Sequence, residues 1–368
     1  MSDLTLEVNG IKYQGFTDAL VNRSVENLAS QFSFSTTIKD SFDFMSGVFG
    51  KIQNDLKAQD FVKILIDDNS VMSGFIEDLD ISYSSSSHSI SVSGRDKTGD
   101  LIDSSIIPKQ YFQRNFVRLL ENVLSDNGHS IAVINDVADL STLGAKEVIT
   151  AEKGDTIAAF MDRYAKKLQV LLVTNADGDL VITREGSDLA VGRLVQEING
   201  NNNNILSASI NISTTERYRF FEIYSSKGND DFIAQTVGQS GIAIDSSIRA
   251  TRRKRVNMSA DTESVSLKNL AKWYLNIRRA KGSRYNCRVQ GFYTNRNSGL
   301  LWQPNTLVQV KDELCQVSGQ FLIQGVSFVK NLQGCFTDLS IVEQGAFSIE
   351  GANIADGSSF ATDLIAKP

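Results

Sequence analysis

Apolar and polar residues alternate with a period of two over both ends of the chain, as expected of half-buried strands whose successive side chains point to opposite faces. In the first hundred residues the alternation runs through Leu4, Leu6 and Val8, stops at Asn9-Gly10, and resumes through Phe32, Phe34 and Thr36 and then Val62, Ile64 and Ile66. Leu79, Ile81 and Tyr83 alternate with polar residues, Ser84 to Ser87 supply a turn, and Ile90 and Val92 alternate with serines, which predicts a β-hairpin. The pattern returns after residue 205 with Ile210 and Ile212, then Phe221 and Ile223, then Leu307, Val308 and Val310, and a hairpin from Ile323 to Val342. FVKILIDDNSVMSGFIEDLDISY and TLVQVKDELCQVSGQFLIQGVSF share one grammar: an alternating strand, a charged turn, a small polar stretch around Ser-Gly, and a second strand closed by Tyr or Phe. This predicts two similar antiparallel β-barrels, residues 1–103 and residues 188–225 with 284–345, the second discontinuous.

Between these modules the period becomes helical. Pro108 suits a first helical turn, and Phe112, Phe116, Leu119, Leu120, Val123 and Leu124 recur at helical spacing up to Asn127-Gly128. A second helix is expected after Asp155, read as its cap, with Ile157, Phe160, Met161 and Tyr164 as its buried stripe. Strands over 170–174 and 180–184 flank the turn residues Asn175 to Asp179. Residues 104–187 therefore read as a small α/β domain. Residues 226–283 read as an insertion into the second barrel: 227–241 is polar and turn-rich, and 263–281 is a helix with Leu267, Leu270, Tyr274 and Ile277 on one face, ended by Gly282. Residues 346–368, rich in Gly, Ala and Ser, read as a flexible tail. The fold class expected is mixed β and α/β.

Composition narrows the class. A chain of 368 residues carries a prior of two to four domains. MSDLTLEVNG enters an alternating strand at once, unlike a signal peptide, and no run approaches the roughly 18 apolar residues of a membrane-spanning helix, so no membrane insertion is expected. The three cysteines, Cys287, Cys315 and Cys335, are odd in number and lie in strand-like surroundings, which points to reduced packing residues. Charge is unevenly spread: residues 249–284 hold eleven cations against two carboxylates, a net of +9 in a chain of −6, leaving −15 elsewhere. Arg252, Arg253, Lys254 and Arg255 precede the helix carrying Lys268, Lys272, Arg278 and Arg279, and the segment is a candidate interface with an acidic surface, either nucleic acid or a neighbouring protein.

Catalytic and cofactor chemistry finds little support. In GRDKT, Asp96 stands before Lys97 where a phosphate-binding loop needs Gly. His88 and His129 have no cysteine at ligand spacing and read as exposed loop residues. Asp78 and Asp80 would share one strand face, as carboxylates on a solvated strand ordinarily do, and Glu77 would face away from both. Asn175, Asp177 and Asp179 resemble half a calcium loop without the distal glutamate, so a plain turn is preferred. KGDTI resembles the opening of a LysM sugar-binding module, but a helix start accounts for it more simply. No cofactor or metal is expected.

Residues 92–103, VSGRDKTGDLID, close the first hairpin and break the strand pattern, as at an exit from a barrel into another domain. Gly94 and Gly99 are expected to permit backbone turns, and Arg95, Asp96, Asp100 and Asp103 to pair locally. This string, with GDLVIT at 178–183 and GLLWQPNTLVQV at 299–310, resembles the baseplate hub proteins of contractile-tailed phages, the Mu-type hub family, over residues up to about 345. The divergent stretches are 41–52, the Asn run at 200–204, and the tail. The resemblance implies a non-enzymatic virion protein of the tail baseplate, assembled in the host cytoplasm. It implies a homotrimer that contacts a central spike, the tail tube or a tube-initiating protein, and other baseplate proteins, while duplex DNA passes through without specific binding. Three chains with two barrels each would present six like modules to a six-fold tube and keep three-fold symmetry toward the spike. Rival classes are a tail-associated peptidoglycan-degrading enzyme, a basic nucleic-acid-binding protein, and a tail-tip protein of a non-contractile phage.

Overall fold

In a computed structural model, the structure describes residues 3–38, 55–84, 87–144, 148–186, 188–225, 240–258, 266–295, 299–349 and 359–360. The expectations for the insert at 41–52, for most of 227–241 and for the start of the helix at 263 lie outside them.

The first lobe contains β1 (Leu4–Val8), β2 (Ile11–Tyr13), β3 (Asp18–Ser24), β4 (Gln31–Ile38), β5 (Phe61–Ile66), β6 (Asn69–Tyr83) and β7 (His88–Asp96). Asn9-Gly10 and Asp67-Asp68 all take positive φ, the conformation that two-residue hairpin turns demand, and they fix the registers Val8↔Ile11 and Ile66↔Asn69. Each strand then turns one face inward, so that Phe32, Phe34, Ile64, Ile90 and Val92 are buried.

The chain next forms α1 (Gly99–Asp103), β8 (Gln110–Tyr111), α2 (Phe116–Asp126), β9 (Val133–Asn135), β10 (Ile149–Thr150), α3 (Ile157–Leu168), β11 (Leu171–Thr174) and β12 (Leu180–Thr183). These are the helices and hairpin of the expected α/β domain, and the stripe of Ile157, Phe160, Met161 and Tyr164 is buried as read. Two details differ. Asn115 starts α2 by accepting a hydrogen bond from the Arg118 amide, so Pro108 lies outside the helix and Phe112 is exposed. Thr156, not Asp155, caps α3, accepting from the Ala159 amide, while Asp155 pairs with Arg163 at 2.6 Å.

The second lobe opens with β13 (Leu189–Gln196) and β14 (Ile205–Ile212), is interrupted by β15 (Phe220–Ser225), β16 (Ser240–Ile244), β17 (Arg253–Met258) and α4 (Leu267–Gly282), and resumes with β18 (Ser283–Gln290), β19 (Leu307–Asp312), β20 (Val317–Asn331), β21 (Gly334–Glu343) and β22 (Ser359–Phe360). Phe221 and Ile223, read as strand residues of the second barrel, belong instead to a separate three-stranded sheet, β16-β15-β17, that packs on α4. β15 and β17 run parallel, a pairing that needs a long crossover and leaves no hairpin signal in the sequence. The start of the expected flexible tail is also anchored. Ala346 and Phe347 are buried against Ala280, Leu307 and Val342, and the Trp273 indole donates to the Phe347 carbonyl at 3.1 Å.

The two lobes repeat one plan. Antiparallel ladders join β5-β6-β7-β4-β3 in one and β19-β20-β21-β18-β14 in the other. Both long central strands, β6 and β20, have 15 residues and a bulge, between Ile76 and Asp78 and between Ile323 and Gly325. The expectation of two separate closed barrels is corrected: β3 pairs with β20, and all the strands of both lobes form one open 14-stranded sheet over a shared core. Alternation specifies which face of a strand is buried but not which neighbour its edge meets. The three cysteines are free thiols, Cys287 buried within the core.

Candidate functional site

The string that follows the first hairpin builds the junction between the first lobe and the α/β domain. β7 runs to Asp96, Thr98 precedes α1, and the Asp96 side chain turns inward. Its carboxylate accepts four hydrogen bonds: from the Ser30 amide at 2.7 Å, the Thr98 amide at 3.0 Å, the Thr98 hydroxyl at 2.6 Å and the Thr174 hydroxyl at 2.7 Å. Ser30 precedes β4 and Thr174 ends β11, so one buried acid ties both domains together. The tip of the β11–β12 hairpin rests on the first lobe, with the Ser73 hydroxyl donating to the Ala176 carbonyl at 3.0 Å and Lys97 facing Asp179 at 3.7 Å. Asn175 accepts from the Asp177 and Asp179 amides, which makes this segment a turn packed on a strand.

Arg95 lies on the opposite face. It meets Glu77 through Nε and Nη2 at 2.7–2.9 Å and forms a second pair with Asp103, linking the bulge of β6 to α1. These partners raise the Arg95 pKa, Asp103 first and Glu77 next. The glycines act differently from the sequence expectation. Neither Gly94 nor Gly99 has positive φ. A Cβ at Gly94 would overlap the Phe75 carbonyl and lie 2.9 Å from the Phe32 ring, and one at Gly99 would lie 3.0 Å from Arg95 Cβ, so both are small because something passes close by. Asp100 is exposed in the first turn of α1.

The basic segment divides among several internal partners. In β17 successive side chains point to opposite faces, placing Arg253 and Arg255 on the outer face of the small sheet and Lys254 on the face toward α4. Arg253 and Arg255 flank the buried carboxylate of Glu222 at 2.8 and 2.9 Å. Arg252, Lys254 and Arg278 gather over the Tyr218 ring at 5.6, 6.0 and 5.5 Å, Arg252 also donating to the Thr215 carbonyl. Arg279 reaches inward to Glu343 at 2.8 Å, whereas Lys268 and Lys272 are exposed on the outer side of α4. Cations adjacent in sequence are thus held together by a tyrosine and a carboxylate from elsewhere in the chain. Sequence reading passed over Glu222 and Tyr218 because neither stands in a recognisable spacing with the arginines.

Burial alone would raise the Glu222 carboxyl, but hydrogen bonds from Arg255 and Tyr224 and the charge of Arg253 outweigh it and hold the group below its ordinary value. A depressed folded-state pKa contributes stability that is present above the unfolded value, about 4.3 for Glu, and lost as pH falls through the folded one. Glu222→Gln is therefore expected to flatten the acid-side loss of thermal stability of the small sheet between about pH 5 and 3. Equal slopes for the two proteins in melts across that range would contradict this assignment.

Comparison with known proteins agrees with the architecture. Residues 3–96 match the family model of the Mu phage baseplate assembly protein GpP-like N-terminal domain, and residues 98–184 match the second domain of the baseplate hub protein gp44-like family. The baseplate hub protein gp44 of Escherichia phage Mu is 25% identical over 358 residues, covering 94% of this chain and 89% of that one. The crystal structure of the 43 kDa tail protein of prophage MuSo2 from Shewanella oneidensis is 27% identical with a TM-score of 0.78, covering 94% of this chain and 99% of that one. A tail protein from Neisseria meningitidis MC58 shares the fold at 21% identity and a TM-score of 0.79, over 95% of this chain and 99% of that one. The boundary between the two family models falls at Lys97, the residue after the buried Asp96 that joins the lobe to the α/β domain. Residues 3–96 and 98–184 thus match two successive domains of Mu-type phage baseplate hub proteins, and over 94% of its length the chain is similar to one such hub, gp44 of phage Mu.

Proposed function

We propose that this protein is a non-enzymatic component of a phage tail baseplate, three copies of which form a ring between the tail tube and a central spike, with an open centre for duplex DNA. The observation that carries the reading is the pair of like lobes in one continuous sheet: three chains would offer six similar modules toward the tube while keeping three-fold symmetry toward the spike.

The face of the sheet turned away from the core suits a conduit. Register places Arg95, Gln31, Asn22, Ser327, Asp338, Arg288 and Ser207 in one row across both lobes, and Asp80, Ser91 and Ser35 in another. The arginines in the long row already have partners, Arg288 holding Asp338 at 2.6 Å and Arg95 holding Glu77 and Asp103. Short polar side chains and neutralised cations give passing phosphates little to release counterions against, so DNA would slide without sticking. The exposed Lys268 and Lys272, with the outer surfaces of Arg253 and Arg255, are assigned to an acidic surface on a neighbouring baseplate or spike protein, away from the channel. Light scattering and electron microscopy of the purified chain test the ring. A three-chain mass with an open centre is expected, and a monomer or dimer across the accessible concentration range would overturn the reading.

A further inference from the structure

Three Asn-Gly pairs occur in the chain, Asn9-Gly10, Asn127-Gly128 and Asn199-Gly200. Each can cyclise by attack of the glycine amide nitrogen on the asparagine side-chain carbonyl, because glycine has no Cβ to screen its nitrogen. The fold treats the three pairs differently.

Asn127 follows α2 and is held at both ends of its side chain. Its Nδ2 donates to the Val123 carbonyl at 2.7 Å, and its Oδ1 accepts from the Ile107 amide at 2.8 Å. The Gly128 amide donates to the Ser125 carbonyl at 3.1 Å, so neither reacting group can move without losing a bond. Asn199 is exposed between β13 and β14, but the Gly200 amide donates to the Glu197 carbonyl at 3.3 Å.

Asn9 and Gly10 are both exposed, and among the described residues no hydrogen bond engages the Gly10 amide or the Asn9 side chain. Their φ angles of 51° and 78° make the two-residue loop between β1 and β2 a type I′ turn. Turning over the peptide plane between them converts it to type II′, in which Asn9 keeps its positive φ while its ψ moves to about −120°. Gly10 alone must then change the sign of φ, which glycine does freely. Both turn types carry the same hairpin, so the pair Val8↔Ile11 survives the change. At that ψ the Gly10 nitrogen eclipses the Asn9 Cα–Cβ bond, the arrangement a five-membered ring requires. The loop can thus reach the reactive geometry while the strands stay paired.

We propose that Asn9 is a site of spontaneous modification, the one of the three asparagines that the fold leaves free to deamidate. The Gly10 amide loses its proton to base, and its nitrogen bonds to the Asn9 side-chain carbonyl carbon. The bond from that carbon to Nδ2 breaks, and Nδ2 leaves as ammonia, forming a succinimide. Water opens the ring at either carbonyl, giving aspartate or isoaspartate. Aspartate adds one negative charge to the turn. Isoaspartate routes the main chain through Cβ and adds an atom to a loop whose length sets the registers Val8↔Ile11 and Leu6↔Tyr13. Because β2 pairs with β1 alone and holds Tyr13 in the core at 4% exposure, that product would loosen one margin of the first lobe.

Peptide mapping of the full-length protein aged in mildly alkaline buffer tests the assignment, with the other two asparagines as internal controls. The peptide containing Asn9 is expected to gain about 1 Da and to show isoaspartate. Its rate should exceed that of Asn127 by about tenfold or more and that of Asn199 by about threefold or more. In concentrated urea the three rates should converge to within about threefold, because only the fold separates them. Asn9→Gln, whose cyclisation would need a six-membered ring, is expected to remove the change at this position while leaving the other two rates as they were. Asn127 or Asn199 reacting as fast as Asn9 in the folded protein, no reaction at Asn9, or the same order of rates persisting in urea would each overturn the proposal.

Discussion

Replacing Arg217 with methionine is expected to destabilise the inserted domain by about 3–5 kcal/mol, because it strands a buried carboxylate. Arg217 and Asp245 pair at 2.8 Å with side chains only 1% and 6% exposed, and Ser247 completes the group by accepting from Arg217 at 2.7 Å and donating to Asp245. Burial pushes the Asp245 carboxyl up, but Ser247 and Arg217 more than reverse this and hold it below its ordinary range. Without the guanidinium the acid must either remain charged in a desolvated site or take up a proton. The double variant Arg217→Met/Asp245→Leu separates the two contributions. It is expected to recover most of the loss, since an apolar pair of similar volume can replace a buried ion pair at about zero net cost. Hydrogen exchange of the β15 and β16 amides would report the change locally. A single variant costing under about 1 kcal/mol would show that the pair is solvated in practice.

The second large effect is expected at Asp96. Asp96→Ala removes the acceptor for four hydrogen bonds and leaves the Ser30 and Thr98 amides and two hydroxyls buried without it, a cost of about 3 kcal/mol or more. Arg95 is the control beside it in the chain. Its pairs with Glu77 and Asp103 are partly solvent-exposed, so Arg95→Ala is expected to cost about 1 kcal/mol or less. The order matters for the proposed function, because Asp96 fixes the α/β domain against the first lobe and a loosened junction would lower the yield of the proposed ring. Urea titration of the two variants, followed by light scattering, gives both readouts. Arg95→Ala proving more damaging than Asp96→Ala would reverse the assignment.

Local patterns gave most of the strands, three helices and the two like lobes, while the resemblance to baseplate hubs rested on longer strings such as VSGRDKTGDLID. That follows from physics that acts over a few residues: side chains alternate along a strand, recur every three to four residues on a helix, and turns need residues tolerant of positive φ, as at Asn9-Gly10. The same reasoning located Asp96 in an informative string, but not the inward turn of its carboxylate, because Ser30 and Thr174 lie 66 and 78 residues away along the chain. Tertiary structure alone decided three further things. It joined two expected barrels into one sheet through β3 and β20, since an exposed strand edge carries no mark of the partner it will take. It moved Phe221 and Ile223 into a sheet of their own, since an alternating strand reads the same in either sheet. It distributed a run of cations between Glu222 and the Tyr218 ring, because net charge counts residues while pairing depends on which distant groups the fold brings within a few ångströms.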